Sequence, residues 1–213
     1  MRIGTWNMAG RWSDDHRAFL EHEECDAWLL TEVPLEVEIS GMTPYRTVAT
    51  MQPHKSWAAV FSRIPPTEGT DPHRATAGAL VGGVRFVSSI LPWRSCGASW
   101  PGASLAEKQA LTLAELEPSI NQATVWAGDW NQALEGRDYV GTGAGRAAIT
   151  QLLDARQLSV PTKSLGSATP GHRSIDHIAV PMAWDVSGAW RISANVQGRR
   201  LSDHDAYVVS IKD

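Results

Sequence analysis

The chain has 213 residues, a net charge of −4, 43% hydrophobic residues and 20% charged residues. That is the composition of an ordinary globular protein, long enough to bury a sizeable core, and it excludes a disordered chain. It also excludes a wholly basic nucleic-acid coat, though not a local basic groove.

Residues 2–7 open the chain as a short strand. No long apolar run and no small-residue cleavage site stands here, so no signal peptide is expected. Ser13 reads as the N-cap of a helix to about Glu24, with Asp14 and Asp15 in its first turn and His16 and His22 on its solvated face. Residues 26–33 form a buried strand that ends in an acid and is closed by Pro34. Further strands are predicted at 46–51, 57–62, 77–81 and 84–91, with a loop from Pro65-Pro66 to Pro72. Residues 104–115 have helical composition and stop at 115–118. Residues 123–127 form an apolar strand running into Gly128-Asp129-Trp130-Asn131. Gly141, Gly143 and Gly145 lack the spacing of a phosphate cradle and read as a loop leading into a helix over 145–158. Strands at 175–180, 185–192 and 206–211 complete the chain.

The strands come in groups rather than alternating with helices, which predicts an α/β chain of packed sheets with helices outside. No linker or repeat divides it, so one domain over 1–213 is expected. No apolar run reaches the ~18 residues of a membrane span. Cys25 and Cys96 lie far apart with no Cys-x-x-Cys, which fits a cytoplasmic protein without a disulfide scaffold.

Polar residues stand at the ends of several apolar strands: Asn7, Glu32, Asp129 with Asn131, Asp176, and Asp203 with His204. Residues held on strand ends can converge at one rim of a sheet. Carboxylates and amide oxygens are hard donors that suit Mg²⁺ or Mn²⁺ rather than zinc. A histidine paired with an acid can act as a base or, when protonated, stabilise phosphoryl charge. Together these groups fit metal-assisted cleavage of a phosphate ester.

Thr5-Trp6-Asn7, Leu30-Thr31-Glu32, Gly128-Asp129-Trp130-Asn131, Ser174-Ile175-Asp176-His177 and Ser202-Asp203-His204 occur in the order found in the endonuclease/exonuclease/phosphatase superfamily, which the chain resembles from residue 5 to residue 204. The resemblance implies the deoxyribonuclease-I-like four-layer sandwich, two packed and mostly antiparallel sheets flanked by helices. It implies that Glu32 is the principal metal carboxylate, with Asn7 and Asp203 as its neighbours at Mg²⁺ or Mn²⁺. Asp129 would position or deprotonate the attacking water, with Asn131 as its partner. His204 would contact the scissile phosphate, oriented by Asp176. His177, one residue on from Asp176, falls on the opposite face of its strand and reads as a packing histidine.

The sequence also departs from the family pattern. Ser89 or Ile90 stands where many members carry a histidine or tyrosine, so that contact is missing or is supplied by His54, Lys55, His73 or Arg94. Ala9 stands where abasic-site endonucleases of the family carry a second acid. His172 and Arg173 are candidates for touching phosphate, as are Arg137, Arg146, Arg199 and Arg200. Ten Trp against three Phe and three Tyr suggest aromatic contacts, with Trp28 and Trp126 in the core and Trp93 as a rim residue meeting substrate. The expected function is a monomeric, metal-dependent nuclease acting on DNA or RNA, without a membrane anchor. The alternatives are a phosphatase of a small molecule or lipid on the same scaffold, or a degenerate member that only binds.

Overall fold

The computed structural model describes residues 1–97, 100–137 and 139–212. Strand β1 (Arg2–Asn7) and helix α1 (Asp14–His22) lead to β2 (Ala27–Pro34), β3 (Thr43–Arg46), β4 (Thr50–Gln52) and β5 (Lys55–Ser62). Then come β6 (Glu68–His73), β7 (Thr76–Val81), β8 (Val84–Ile90), α2 (Leu105–Leu116), β9 (Thr124–Asp129) and α3 (Gly143–Ala155). The last part holds β10 (Leu158–Ser159), β11 (Asp176–Pro181), β12 (Val186–Ile192), β13 (Asn195–Val196), β14 (Arg199–Arg200) and β15 (Ala206–Ile211).

Two large sheets carry the fold. One has the order β12-β15-β1-β2-β5-β3, with β4 also on β5; the other has the order β10-β11-β9-β8-β7-β6. Within them only the central pairs β1–β2 and β8–β9 are parallel. Period-2 alternation assigns the faces. Ile3, Leu29, Val60, Val125, Ala127, Ile178 and Val209 meet between the sheets. Trp6, Trp28, Leu30 and Phe61 turn outward and pack on Phe19 and Leu20 of α1. Val87, Trp126 and Ala179 turn outward on the other side, onto Leu113 and Leu116 of α2 and Ile149 and Leu152 of α3. The result is the expected four-layer sandwich.

Local chemistry explains the helix starts. Ser104 Oγ accepts from Glu107 N at 3.2 Å, and Glu107 Oε2 accepts from Ala103 N at 2.7 Å. Thr142 Oγ1 accepts from Gly145 N at 2.8 Å and starts α3. Ser13 precedes α1, but its Oγ bonds His16 Nδ1 at 2.7 Å instead of capping the backbone.

Four expectations need correction. His16 is buried, with Nε2 3.1 Å from Leu201 O and its ring stacked on Trp6; Leu201, in the bend between β14 and β15, packs on that helix. The expected loop through Pro72 contains β6, which gains its order from pairing with β7 rather than from an apolar pattern. The single strand expected at 46–51 is two, β3 and β4, separated where Thr47 Oγ1 turns back to accept from Trp57 N. Pro34 lies inside β2 as its last residue, opposite Lys55 of β5.

Candidate active site

The inner faces of the two sheets end at one rim. Asn7 closes β1, Asp129 closes β9 and Asp176 opens β11, paired in register with Asp129. Asp203 and His204 lie just before β15. Asn7 Nδ2 donates to Glu32 Oε1 at 3.3 Å and to Asp129 Oδ2 at 3.0 Å, and so bridges the two sheets. Its Oδ1 accepts from Ala9 N at 2.9 Å. Asn7 thus stands between the two carboxylates, with its Nδ2 toward them and its Oδ1 on the Ala9 backbone. Ser202 Oγ donates to Asn7 O at 2.7 Å and ties the Asp203-His204 segment to β1.

Three of the seven non-glycine residues with positive φ among the described residues lie here. Ala9, Glu32 and Asn131 all have positive φ, at 51°, 52° and 47°. Such conformations persist where surrounding structure over-determines them, and they gather at functional sites. At Glu32 the kink interrupts the β2–β5 ladder between Thr31 and Val33. The acid thus sits within β2, not at its end as expected. Gly128, at φ 129°, permits the close β8–β9 approach beside Asp129, since a Cβ there would lie 2.2 Å from Ser89 O.

Asp176, His204 and Asp129 form a chain. His204 Nδ1 lies 2.7 Å from Asp176 Oδ2, and His204 Nε2 lies 3.9 Å from Asp129 Oδ2. Burial alone would lower the histidine pKa, but the Asp176 and Asp129 carboxylates outweigh it and raise it to about 10. Asp129 is pushed up to about 7, by burial first, with Asp176 adding to the rise and His204 opposing it. Burial also raises Asp176 against the pull of His204. Asn131 N donates to Asp129 Oδ1 at 3.0 Å, and Asn131 Nδ2 donates to Leu91 O at 3.0 Å.

Asp129, Asp176 and His204 each present one donor atom within 4.8 Å of the others. That trio is a poor metal cage, because a protonated imidazole has no lone pair to give and its Nδ1 is already committed to Asp176. Glu32 fits a hard cation better. Its Oε2 already holds the Lys55 ammonium at 3.1 Å, and its carboxylate faces the Asn7 amide rather than a histidine. Asp203 is exposed, and together with His204, Asp176, Tyr139 and Thr169 it lines a cavity of about 140 Å³.

Ser89 and Ile90 face opposite ways. Ile90 pairs with Asp129 in register and points into a buried apolar cluster of Trp57, Ala75, Cys96 and Trp100. Ser89 faces the other way, accepting from Trp126 Nε1 at 3.0 Å. Trp93 is partly exposed, edge-on to Trp100 at 5.0 Å, at the exit of β8. His177 is the expected packing histidine, with Nε2 2.9 Å from Gln132 O, its ring against Trp130 and its pKa lowered to about 4 by burial. His172 stacks on Tyr139 at 4.0 Å beside the His204 cavity. The Arg173 guanidinium donates to Ser164 O. Arg199 pairs with Asp15, and Arg200 pairs with the buried Asp205. Tyr139 was missed by sequence reasoning, since nothing local marks a tyrosine in an irregular loop as a neighbour of Asp176.

No protein-family model matches the sequence, and no curated protein matches it. Solved structures do. A 3′-5′ exonuclease from Neisseria meningitidis aligns over 99% of this chain and 99% of its own at 18% identity and a TM-score of 0.72. An AP endonuclease from Archaeoglobus fulgidus aligns over 100% of both chains at 13% identity and a TM-score of 0.74. An endonuclease/exonuclease/phosphatase protein from Beutenbergia cavernae aligns over 100% of this chain and 71% of its own at 18% identity and a TM-score of 0.67. At these identities the likeness establishes a shared fold.

Proposed function

We propose that the chain is a divalent-metal-dependent phosphoesterase that hydrolyses a nucleic-acid phosphodiester. The observation that carries this reading is the linked constellation itself: the Asn7 amide between Glu32 and Asp129, with the Asp176-held His204 3.9 Å from Asp129. The fold shared with an exonuclease and an AP endonuclease supports it, as does the likeness to a Neisseria 3′ phosphatase bound to a product DNA hairpin. Glu32 is the carboxylate assigned to Mg²⁺ or Mn²⁺, with Asp203 as a second oxygen donor and Asn7 holding Glu32 in place. The bound ion would supply Lewis-acid polarisation of the phosphoryl oxygens.

The chain's own groups do the rest. Asp129, with a pKa near neutrality, takes the proton of the attacking water. The Asn131 backbone N–H fixes the other Asp129 oxygen and so aims the base. His204, held cationic, donates from Nε2 to the phosphate as negative charge develops. Asp176 holds the imidazolium by its Nδ1 proton. Trp93, Tyr139 and His172 offer ring faces at the rim for a base. The reading includes one domain, a monomer and a cytoplasmic site of action; the free, buried Cys25 and Cys96 support the last.

A second reading, a phosphatase of a smaller ester, is favoured by the acidic net charge of −4. Hydrolysis of DNA, RNA and bis-p-nitrophenyl phosphate, with Mg²⁺ or Mn²⁺ and with EDTA, tests both readings. Glu32→Ala, Asp129→Ala and His204→Ala should each lower kcat by about 10²–10⁴-fold with cooperative unfolding retained. Inactivity of folded wild-type protein on all three substrates would overturn the proposal.

A further inference from the structure

Lys55 opens β5 opposite the end of β2, and its ammonium sits 3.1 Å from Glu32 Oε2. The lysine side chain is 14% exposed and that of Glu32 24%, so this is an ion pair built into the rim rather than a solvated surface contact. Its place is shaped by the chain around it. Gly10, at φ 66°, leaves room for the lysine stem, because a Cβ there would lie 2.8 Å from Lys55 Cδ and 3.0 Å from Nζ. His54, just before it, has a positive φ of 65°. Glu32 Oε1 is held by Asn7, whose amide also reaches Asp129. The ammonium is thus one carboxylate away from the catalytic chain.

An ammonium carries three donors and no acceptor, so it cannot ligate a metal ion. It competes with a cation for the same carboxylate. A divalent ion at Glu32 would repel it, and its flexible four-carbon stem lets it swing away. Beside it the described residues of the inner edge form an apolar cluster. Ile90, Trp57, Ala75 and Trp100 make that edge apolar, and Ile90 is one of the two residues at which the family resemblance implies a phosphate-contacting side chain. A phosphate arriving beside Glu32 therefore has the Lys55 ammonium within reach on the β5 side.

Resting on the metal reading of Glu32, we propose that Lys55 is a tethered counter-ion of Glu32 that the divalent ion displaces, and that the freed ammonium binds a substrate phosphate. It thereby supplies the contact that Ile90 cannot make.

The test pairs Lys55→Met with Lys55→Arg in the full chain. Calorimetric titration with Mn²⁺, without substrate, should show Lys55→Met binding the ion about tenfold more tightly than wild type. With Mn²⁺ saturating, Lys55→Met should raise KM for a single-stranded oligonucleotide and lower the salt slope of kcat/KM by about 1, while Lys55→Arg keeps the wild-type slope. Lys55→Arg also covers the case in which the methionine variant fails to fold. A normal wild-type isotherm that Lys55→Met leaves unmoved or weakens overturns the counter-ion role. An unchanged salt slope overturns the phosphate role. Wild-type protein that binds no Mn²⁺ at millimolar concentration overturns the metal reading of Glu32 and this inference with it.

Discussion

His204 takes its charge from two neighbours, and those neighbours set its working range. Asp176 at 2.7 Å and Asp129 at 3.9 Å keep the imidazole protonated up to about pH 10. Burial makes Asp129 a base that ionises near pH 7. One Asp176 oxygen is buried without a hydrogen-bond partner among the described residues. The signs of the pH dependence follow. Asp129 must be ionised to accept a proton, so activity should rise as pH passes through about 7. His204 must be protonated to donate, so activity should fall as pH passes through about 10. The profile of kcat/KM for bis-p-nitrophenyl phosphate with Mg²⁺ should therefore be bell-shaped, its limbs reporting the coupled set rather than single residues. Asp176→Asn should pull the upper limb toward neutrality, because it removes the closest charge on His204. An upper limb that Asp176→Asn does not move would show that this pair does not set it. These acids and the histidine were legible in sequence because each stands at an apolar strand end. Lys55 was legible only as one of four cations, since its pairing with Glu32 runs across two strands and depends on a kink that no residue type announces.

At the scale of elements, the site depends on how closely β8 and β9 approach. Gly128 lets the two parallel strands meet beside Asp129; any side chain there would strike the Ser89 carbonyl at 2.2 Å in a conformation that L residues rarely adopt. Gly128→Ala should cost about 3 kcal/mol and lower Tm by roughly 6–12 °C. Thermal unfolding followed by circular dichroism checks this, and a Tm within 2 °C of wild type would show that the β8–β9 contact can relax. Apolar runs made β1, β2, β5, β7, β8, β9, β11, β12 and β15 readable from sequence, and the three helices were readable from a cap residue in α1 and from composition in α2 and α3. The rest was not. β6 reads Glu-Gly-Thr-Asp-Pro-His, with no alternation, and exists through pairing with β7. β10, β13 and β14 have two residues each, too short to carry a period. The positive φ at Glu32 and Asn131 is imposed by tertiary packing, so the directions in which their side chains leave the strand were beyond a pattern-based reading.

Over the whole molecule, charge decides what kind of substrate the rim can hold. Nucleic-acid binding scales with the number of phosphates neutralised by free cations. Several arginines that sequence alone offered for this task are occupied. Arg173 is bonded to Ser164, Arg199 pairs with Asp15, and Arg200 pairs with the buried Asp205, which also holds Arg191, an arginine not among those candidates. The Asp205 clamp anchors the turn before β15 and so steadies His204 rather than reaching outward. A protein of net charge −4 with its arginines committed in this way should grip few backbone phosphates and rely on stacking at the rim. For a single-stranded oligonucleotide, the slope of log Kd against log salt should have a magnitude of about 1–3, not the 6–10 of an extended basic groove. Trp93, partly exposed at the exit of β8, is the aromatic we propose to meet a base. Trp93→Ala should weaken oligonucleotide binding by about 5–100-fold, the range of a lost stacking contact. The same change should leave hydrolysis of bis-p-nitrophenyl phosphate within about twofold, because that ester presents no nucleobase. Fluorescence anisotropy across a salt series, run beside the chromogenic assay, separates the two readings. A slope near zero, with Trp93→Ala silent in both assays, would assign the rim to a small phosphate ester and remove nucleic acid as the substrate.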